Sequence, residues 1–328
     1  MKIFTIQNLW NEKVMTERSR TKVRDYISPS DLGGSFLDRY YKMTGVEPTN
    51  KYDERTLRIF DAGRMFEWII VRTFAMAGIL LEKQFKITIP ETKDTLAIWG
   101  FGDALIGGTP DWKSARNRVN KFLDEFKLKL DDEVIERYSL KLIDGLEKEF
   151  PEGLPEKIVV EAKSVNSMSF WSHNNRDKDG NFVGYDHHKL QAYAYLKGRP
   201  DASHARLFYI SKDDLCLQEV GVFANDGIDE LYQNDIKEMT YYIKAKEEPK
   251  KEPDIVYDKR KKMFGLNWRI VRSTFLTKIT GLPDSTAWEE KYRPEMQKMN
   301  LALKHLRAGK LKPEDPAVIE QYKLEQYK

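Results

Sequence analysis

The stretch Ile158-Val159-Val160-Glu161-Ala162-Lys163-Ser164 constrains this chain more than any other. Its β-branched residues read as a strand, and strand side chains alternate between two faces. Ile158, Val160 and Ala162 then share one face, and Val159, Glu161 and Lys163 share the other. So apolar a strand belongs inside a sheet, where a carboxylate and an ammonium are costly unless they pair or serve a chemical purpose. The pattern alone leaves two explanations: an ion pair that is only structural, or an acid and a lysine held together for a reaction.

An upstream segment adds to the second. Trp99-Gly100-Phe101-Gly102-Asp103-Ala104-Leu105-Ile106 places an acid beside two glycines in a strand pattern. Glycine inside a strand marks a bend, a bulge or close backbone approach. An Asp and a Glu on adjacent strands offer hard oxygen ligands of the kind Mg²⁺ takes, one or two carboxylates with water completing the shell. A lysine beside them can stabilise charge developing on phosphoryl oxygens.

The surrounding pattern is α/β. Asp53 to about Gly78 repeats apolar residues at helical spacing, and Leu80–Pro90 and Thr95–Ile106 alternate as strands. Residues 113–150 read as charged helices, with apolar stripes at Val119, Phe122, Leu123 and Phe126 and at Val134, Ile135, Tyr138, Leu142 and Leu146. After the 157–165 strand come a helix at 186–197, a hairpin made by 205–211 and 215–223, and a helix at 228–245. Lys246–Pro253, rich in Lys, Glu and Pro, reads as linker, and two helices are predicted near 285–308 and 313–326. The predicted organisation is a core at 1–245 with a helical insertion at about 113–150, a linker at 246–255 and a helical C-terminal extension at 256–328.

Composition excludes several classes. At 33% charged and 41% hydrophobic residues the chain is globular, and it has no apolar run of about 18 residues, so no membrane span is expected. The first residues lack the pattern of a signal peptide, and a cytoplasmic setting is expected. Cys216 is the one cysteine, which excludes an internal disulfide framework and a four-cysteine zinc or iron–sulfur site. Neither the Gly-x-Ser-x-Gly elbow nor the phosphate-binding Gly-x-x-x-x-Gly-Lys-Ser/Thr loop occurs. His173, His187 and His188 lack a second ligand set at zinc spacing. A net charge of +3 says little about nucleic acid, although Lys259, Arg260, Lys261 and Lys262 form a local basic run. Lys212 is a candidate phosphate contact. Phe170 and Trp171 fit either base stacking or core packing.

Gly100-x-Gly102-Asp103 on one strand with Glu161-Ala162-Lys163 on the next resembles the PD-(D/E)XK nuclease motif. Gln191 and Tyr195 resemble the Gln-x-x-x-Tyr motif of the RecB-like branch, and Gly63-Arg64-Met65-Phe66-Glu67 is similar to its upstream helix motif. Tyr209-Ile210-Ser211-Lys212-Asp213 resembles the strand–turn that follows in phage and CRISPR-associated exonucleases of that branch. The resemblance spans roughly residues 25–225. The resemblance implies a restriction-endonuclease-like core, a mixed sheet flanked by helices, and Mg²⁺- or Mn²⁺-dependent hydrolysis of DNA, as in an exonuclease of recombination, repair or replication. It implies Asp103 and Glu161 as metal ligands, Glu67 as a further ligand, Lys163 as the catalytic lysine, Gln191 as a group orienting the site, and Tyr195 as a contact to the site or the nucleic acid. Pro110-Asp111 also matches the Asp element, so Asp111 stands as the alternative ligand; Asp103 is preferred because Ala104-Leu105-Ile106 continues a strand. DNA is the implied partner, a recombination or replication protein fits beside it, and a homo-oligomer stays open. A catalytically silent binding or assembly protein on the same fold is the competing expectation.

Overall fold

The computed structural model describes residues 6–16, 23–109, 111–123, 132–171, 176–258 and 261–327. Pro110, Phe126, His173, Lys259 and Arg260 lie outside them. The elements in chain order are α1 (Ile6–Thr16), β1 (Tyr26–Ile27), α2 (Phe36–Met43), α3 (Glu54–Met76), β2 (Leu80–Ile89), β3 (Ala97–Thr109), α4 (Trp112–Leu123), α5 (Asp132–Glu149), β4 (Leu154–Val165) and α6 (Ser167–Phe170). They continue with α7 (Asp186–Gly198), β5 (His204–Ser211), β6 (Leu217–Val222), α8 (Asp226–Ala245), β7 (Ile255–Asp258), β8 (Met263–Leu266), α9 (Trp268–Val271), α10 (Leu276–Thr280), α11 (Ser285–Ala308) and α12 (Asp315–Gln321). The chain is α/β, with a mixed central sheet flanked by helices and a largely helical C-terminal region. No helix among the described residues is long and apolar enough to cross a membrane.

Two packing units divide the described residues. The first takes in residues up to Thr16, 25–33 and 53–240; the second takes 23–24, 34–52 and the chain from Tyr241.

The first unit holds the six-stranded sheet, ordered β1-β3-β4-β5-β6, with β2 also on β3. β4 runs antiparallel to β3 and parallel to β5, so it is central, and Val159 and Val160 are both buried. A parallel pair needs a crossover, which α6 and α7 supply. α3 starts at Asp53, whose side chain accepts the Thr56 N–H at 2.8 Å, and buries Val71 and Ala75 against Leu80, Ala104 and Val160. The α4 and α5 helices of the 113–150 insertion make a neighbouring core, with Trp112, Ala115, Val119 and Ile143 against Ala77 and Ile79.

β3 forks the sheet. Ile98 pairs with both Ile27 and Ile89, and Ala104 pairs with both Lys83 and Val160, so β1 and β4 lie along one edge of β3 and β2 along the other. Between them, from Trp99 to Asp103, the β4-side edge of β3 has no strand partner among the described residues. Beyond Val160, β4 pairs only with β5.

The second unit has two apolar clusters. Leu37 and Tyr41 of α2 pack with Ile270, Phe275, Leu276, Ile279 and Trp288, and Phe264 packs with Met299, Leu303, Leu306, Val318, Ile319 and Leu324. Three features differ from the sequence expectation. Residues 34–52 belong with the C-terminal region rather than with the sheet. The extension contains an antiparallel hairpin, β7–β8, besides helices. The 246–255 segment is tied rather than loose: Glu248 accepts the Tyr41 hydroxyl at 2.7 Å, and Asp254 accepts Trp288 Nε1 at 3.0 Å and the Tyr292 hydroxyl at 2.9 Å.

Candidate active site at the fork of the sheet

The fork leaves backbone groups of β4 without a partner strand, and the side chain of Asp103 supplies one. Asp103 Oδ2 accepts the Ala162 N–H at 2.7 Å. This places Asp103 beside Glu161, directly after the last β3–β4 pair, Ala104 with Val160. Glu161 is 3% exposed. Its Oε1 accepts Lys163 Nζ at 2.7 Å and Gln191 Nε2 at 2.7 Å. Its Oε2 is buried and has no hydrogen-bond partner.

Each group is held from behind. Gln191 comes from α7, is buried, and also donates to the Tyr195 hydroxyl at 3.1 Å, one helical turn on. Tyr195 is itself buried, edge-on to Phe85 with ring centroids 6.0 Å apart. It therefore acts on the site through Gln191; the surface contact to nucleic acid allowed by the sequence is not available to it. Glu67 comes from α3, its Oε1 accepting the Gln84 amide. Gly63, one turn earlier, faces β4: a Cβ there would lie 3.4 Å from Ser164 Oγ, an ordinary contact.

The electrostatics are those of crowded acids with a single ammonium. Burial, then the charges of Glu161 and Glu67, push the Asp103 carboxyl well above its usual range, against the pull of Lys163 and the Ala162 N–H. Burial also raises Glu67; the Gln84 hydrogen bond opposes this and Glu161 adds to it. Burial disfavours the charged form of Lys163, but Glu161, Asp103 and Glu67 outweigh it and hold the ammonium above an ordinary lysine. Burial, reinforced by Glu161, keeps Tyr195 protonated.

Asp103, Glu161, Lys163, Gln191, Tyr195 and Glu67 thus come together in one unit. Asp111 does not. It caps α4, accepting the Ser114 N–H at 2.7 Å, and this holds its carboxyl below the usual range. It follows Thr109, whose β4 partner is Leu154; from there to Glu161 the strand runs about 23 Å at about 3.3 Å per residue. The alternative ligand is therefore a helix cap.

Of the other candidates, only Phe170 resolves into packing. Phe170 is fully buried, whereas Trp171 stays half-exposed with Nε1 donating to Asp214 Oδ2 at 2.7 Å. His188 Nδ1 lies 2.9 Å from the Tyr209 hydroxyl, and Tyr209 pairs in register with Lys163. Lys212 is half-buried, and burial lowers its ammonium pKa. Gln84 was not foreseen. It sits in β2 with φ +47°, and nothing in its local sequence signals that its amide would reach Glu67.

Among the described residues no group of three or more His, Cys, Asp or Glu side chains is arranged as a ready metal centre. The residues nevertheless suit a small hard cation. Glu161 Oε2 is a buried carboxylate oxygen without a partner, Asp103 and Glu67 add oxygen donors, and one lysine faces three acids.

No family model matches the sequence. No curated protein matches it significantly. Among solved structures, the crystal structure of SSO0001 is similar, with a TM-score of 0.45 and 15% identity over 84% of this chain and 96% of that chain.

Proposed function

We propose that the chain is a metal-dependent deoxyribonuclease of the PD-(D/E)XK type, hydrolysing phosphodiester bonds, with the RecB-like exonucleases as the nearest pattern. The observation that carries this reading is Glu161. One carboxylate oxygen is fixed by Lys163 and Gln191, and the other is buried without a partner next to Asp103. A buried carboxylate oxygen without a partner is uncommon, and a bound cation is one thing that would satisfy it.

Asp103, Glu161 and Glu67 would hold Mg²⁺ or Mn²⁺, which when bound polarises a phosphate and lowers the pKa of its water. The chain's own groups do the rest. Gln191, braced by Tyr195, fixes the rotamer of Glu161. Lys163 presents an ammonium that three acids keep charged against the effect of burial, suited to the oxygens of a phosphoryl group as negative charge grows on them. The Asp103 carboxylate bridges to the β4 backbone and so sets the spacing of the two acids.

The test is incubation of end-labelled single- and double-stranded DNA with wild type, Glu161→Gln and Lys163→Met, in Mg²⁺, Mn²⁺ or EDTA. Wild type is expected to cut only with metal, and each variant to lose at least about 100-fold in rate while keeping its circular dichroism spectrum. Absence of cutting by folded wild type with either metal, or undiminished cutting by Glu161→Gln, overturns the proposal and leaves a binding or assembly role.

A further inference from the structure

The outer face of β2 and β3 lies along the same strand as Asp103. From Ala97 to Asp103 burial alternates: Ile98, Gly100 and Gly102 are buried, whereas Trp99 and Phe101 face the other way, with Asp103. β2 presents exposed Lys86 and Thr88 in register with Phe101 and Trp99. The inner face has no room for a side chain at the glycines, because a Cβ on Gly100 would meet Pro29 at 2.7 Å and one on Gly102 would meet the Phe85 ring at 2.3 Å.

On the outer face the aromatic residues form a strip. Trp99 lies edge-on to Tyr26, centroids 5.2 Å apart, and edge-on to Phe101, centroids 5.1 Å apart. Lys86 Nζ sits 5.6 Å from the Trp99 ring centroid. Phe101 is 46% exposed. It stands two residues from Asp103, about 7 Å along the strand. Sheet positions open to water are ordinarily polar, so a row of rings ending in the exposed Phe101 is unusual there.

Unpaired bases need π-faces to stack on, and their phosphates need a cation nearby. The strip offers both, and Phe101 stands two residues from Asp103 on the same strand. A duplex keeps its base faces inside its own stack and gains nothing from such rings. We propose that Tyr26, Trp99, Phe101 and Lys86 form a stacking site for unpaired bases of a single-stranded polynucleotide, aligning its backbone with Asp103, Glu161 and Lys163. That the bound strand is then cut rests on the function proposed above; the stacking site does not.

The test uses fluorescence anisotropy of the full chain with fluorescein-labelled oligothymidylate and a blunt hairpin duplex, in EDTA. Wild type is expected to prefer the single strand. Phe101→Ala should weaken that binding by about 5- to 100-fold, Phe101→Tyr should restore it, and hairpin binding should not change. Lys86→Gln should weaken single-strand binding and flatten its salt dependence. Equal oligothymidylate affinity for wild type and Phe101→Ala, equal wild-type affinity for the two probes, or no binding by wild type overturns the proposal. Cutting is read separately with Mg²⁺. If wild type never cuts yet Phe101→Ala weakens binding, the stacking site stands and the nuclease reading falls. If wild type cuts and Phe101→Ala binds as wild type does, the stacking site falls alone.

Discussion

Glu161 and Lys163 sit two apart on a central strand, with side chains only 4% and 20% exposed. Removing one member of a buried pair costs about 3–5 kcal/mol, because the other charge stays buried without compensation. Here the two partners are not equivalent. Losing the lysine leaves Glu161, Asp103 and Glu67 facing one another, whereas losing the Glu161 charge also relieves the repulsion that raises Asp103. In metal-free buffer Lys163→Met is therefore expected to destabilise by about 3–5 kcal/mol, and Glu161→Gln by less. Adding Glu161→Gln to Lys163→Met should recover stability, with a coupling of about 0.5–3 kcal/mol. Urea unfolding of the four proteins measures this, and strictly additive losses would show that the two groups do not interact energetically.

Among the elements, β3 does most to shape the site, and its glycines make that possible. The Phe85 ring fills the place of a Gly102 side chain, and it cannot swing away because it is buried and edge-on to Tyr195. Gly102→Ala is expected to cost about 1–3 kcal/mol from overpacking. In a Phe85→Leu background the same substitution should cost less, since the clashing ring atoms are gone. Denaturation midpoints decide it; an equal cost in both backgrounds would place the strain elsewhere. The insertion helices α4 and α5 pack with α3, α4 also reaches β3, and in the turn after α3 Gly78, φ +69°, brings its backbone against Ala115.

The molecule as a whole is assembled from discontinuous pieces. Residues 34–52 pack with the C-terminal region, so that unit joins two stretches far apart in the chain. Asn50 shows how the pieces join: its N–H donates to Thr274 O at 2.8 Å, its Oδ1 accepts the Thr277 N–H at 2.7 Å, and its Nδ2 donates to Pro283 O at 2.9 Å. Asp254 is a second node, gathering Lys251, Trp288 and Tyr292. Trp288 is fully buried, so Asp254→Ala strands its indole N–H at a cost of about 1–3 kcal/mol. Hydrogen exchange is expected to speed up in β7, β8 and α11, and less in Asp254→Asn, which keeps an acceptor oxygen. Unchanged protection there would deny Asp254 this role.

Wherever one stretch of chain carries its own signal, the sequence determined the outcome. α3 starts at its Asp53 cap, α7 spans 186–198 against an expected 186–197, and β2, β4 and β5 begin within three residues of the predicted positions. Strand alternation alone put Glu161 and Lys163 side by side. What depends on distant residues was decided only by the tertiary structure. β7 and β8 have four residues each, too few for a period to register, and Asn300 of α11, distant in sequence, bonds both backbone groups of Phe264. The choice between Asp103 and Asp111 turned on register: both follow glycines near strand pattern, but only Asp103 stands where β3 and β4 part and a backbone N–H needs an acceptor. The grip of Gln84 on Glu67, the reach of Gln191 to Glu161 and the burial of Tyr195 likewise join residues 17 or more apart or depend on what covers them. Local periodicity reports the direction of a side chain from its own backbone. It carries no information on which distant group meets it, because that is set by how the sheet is ordered and where it opens.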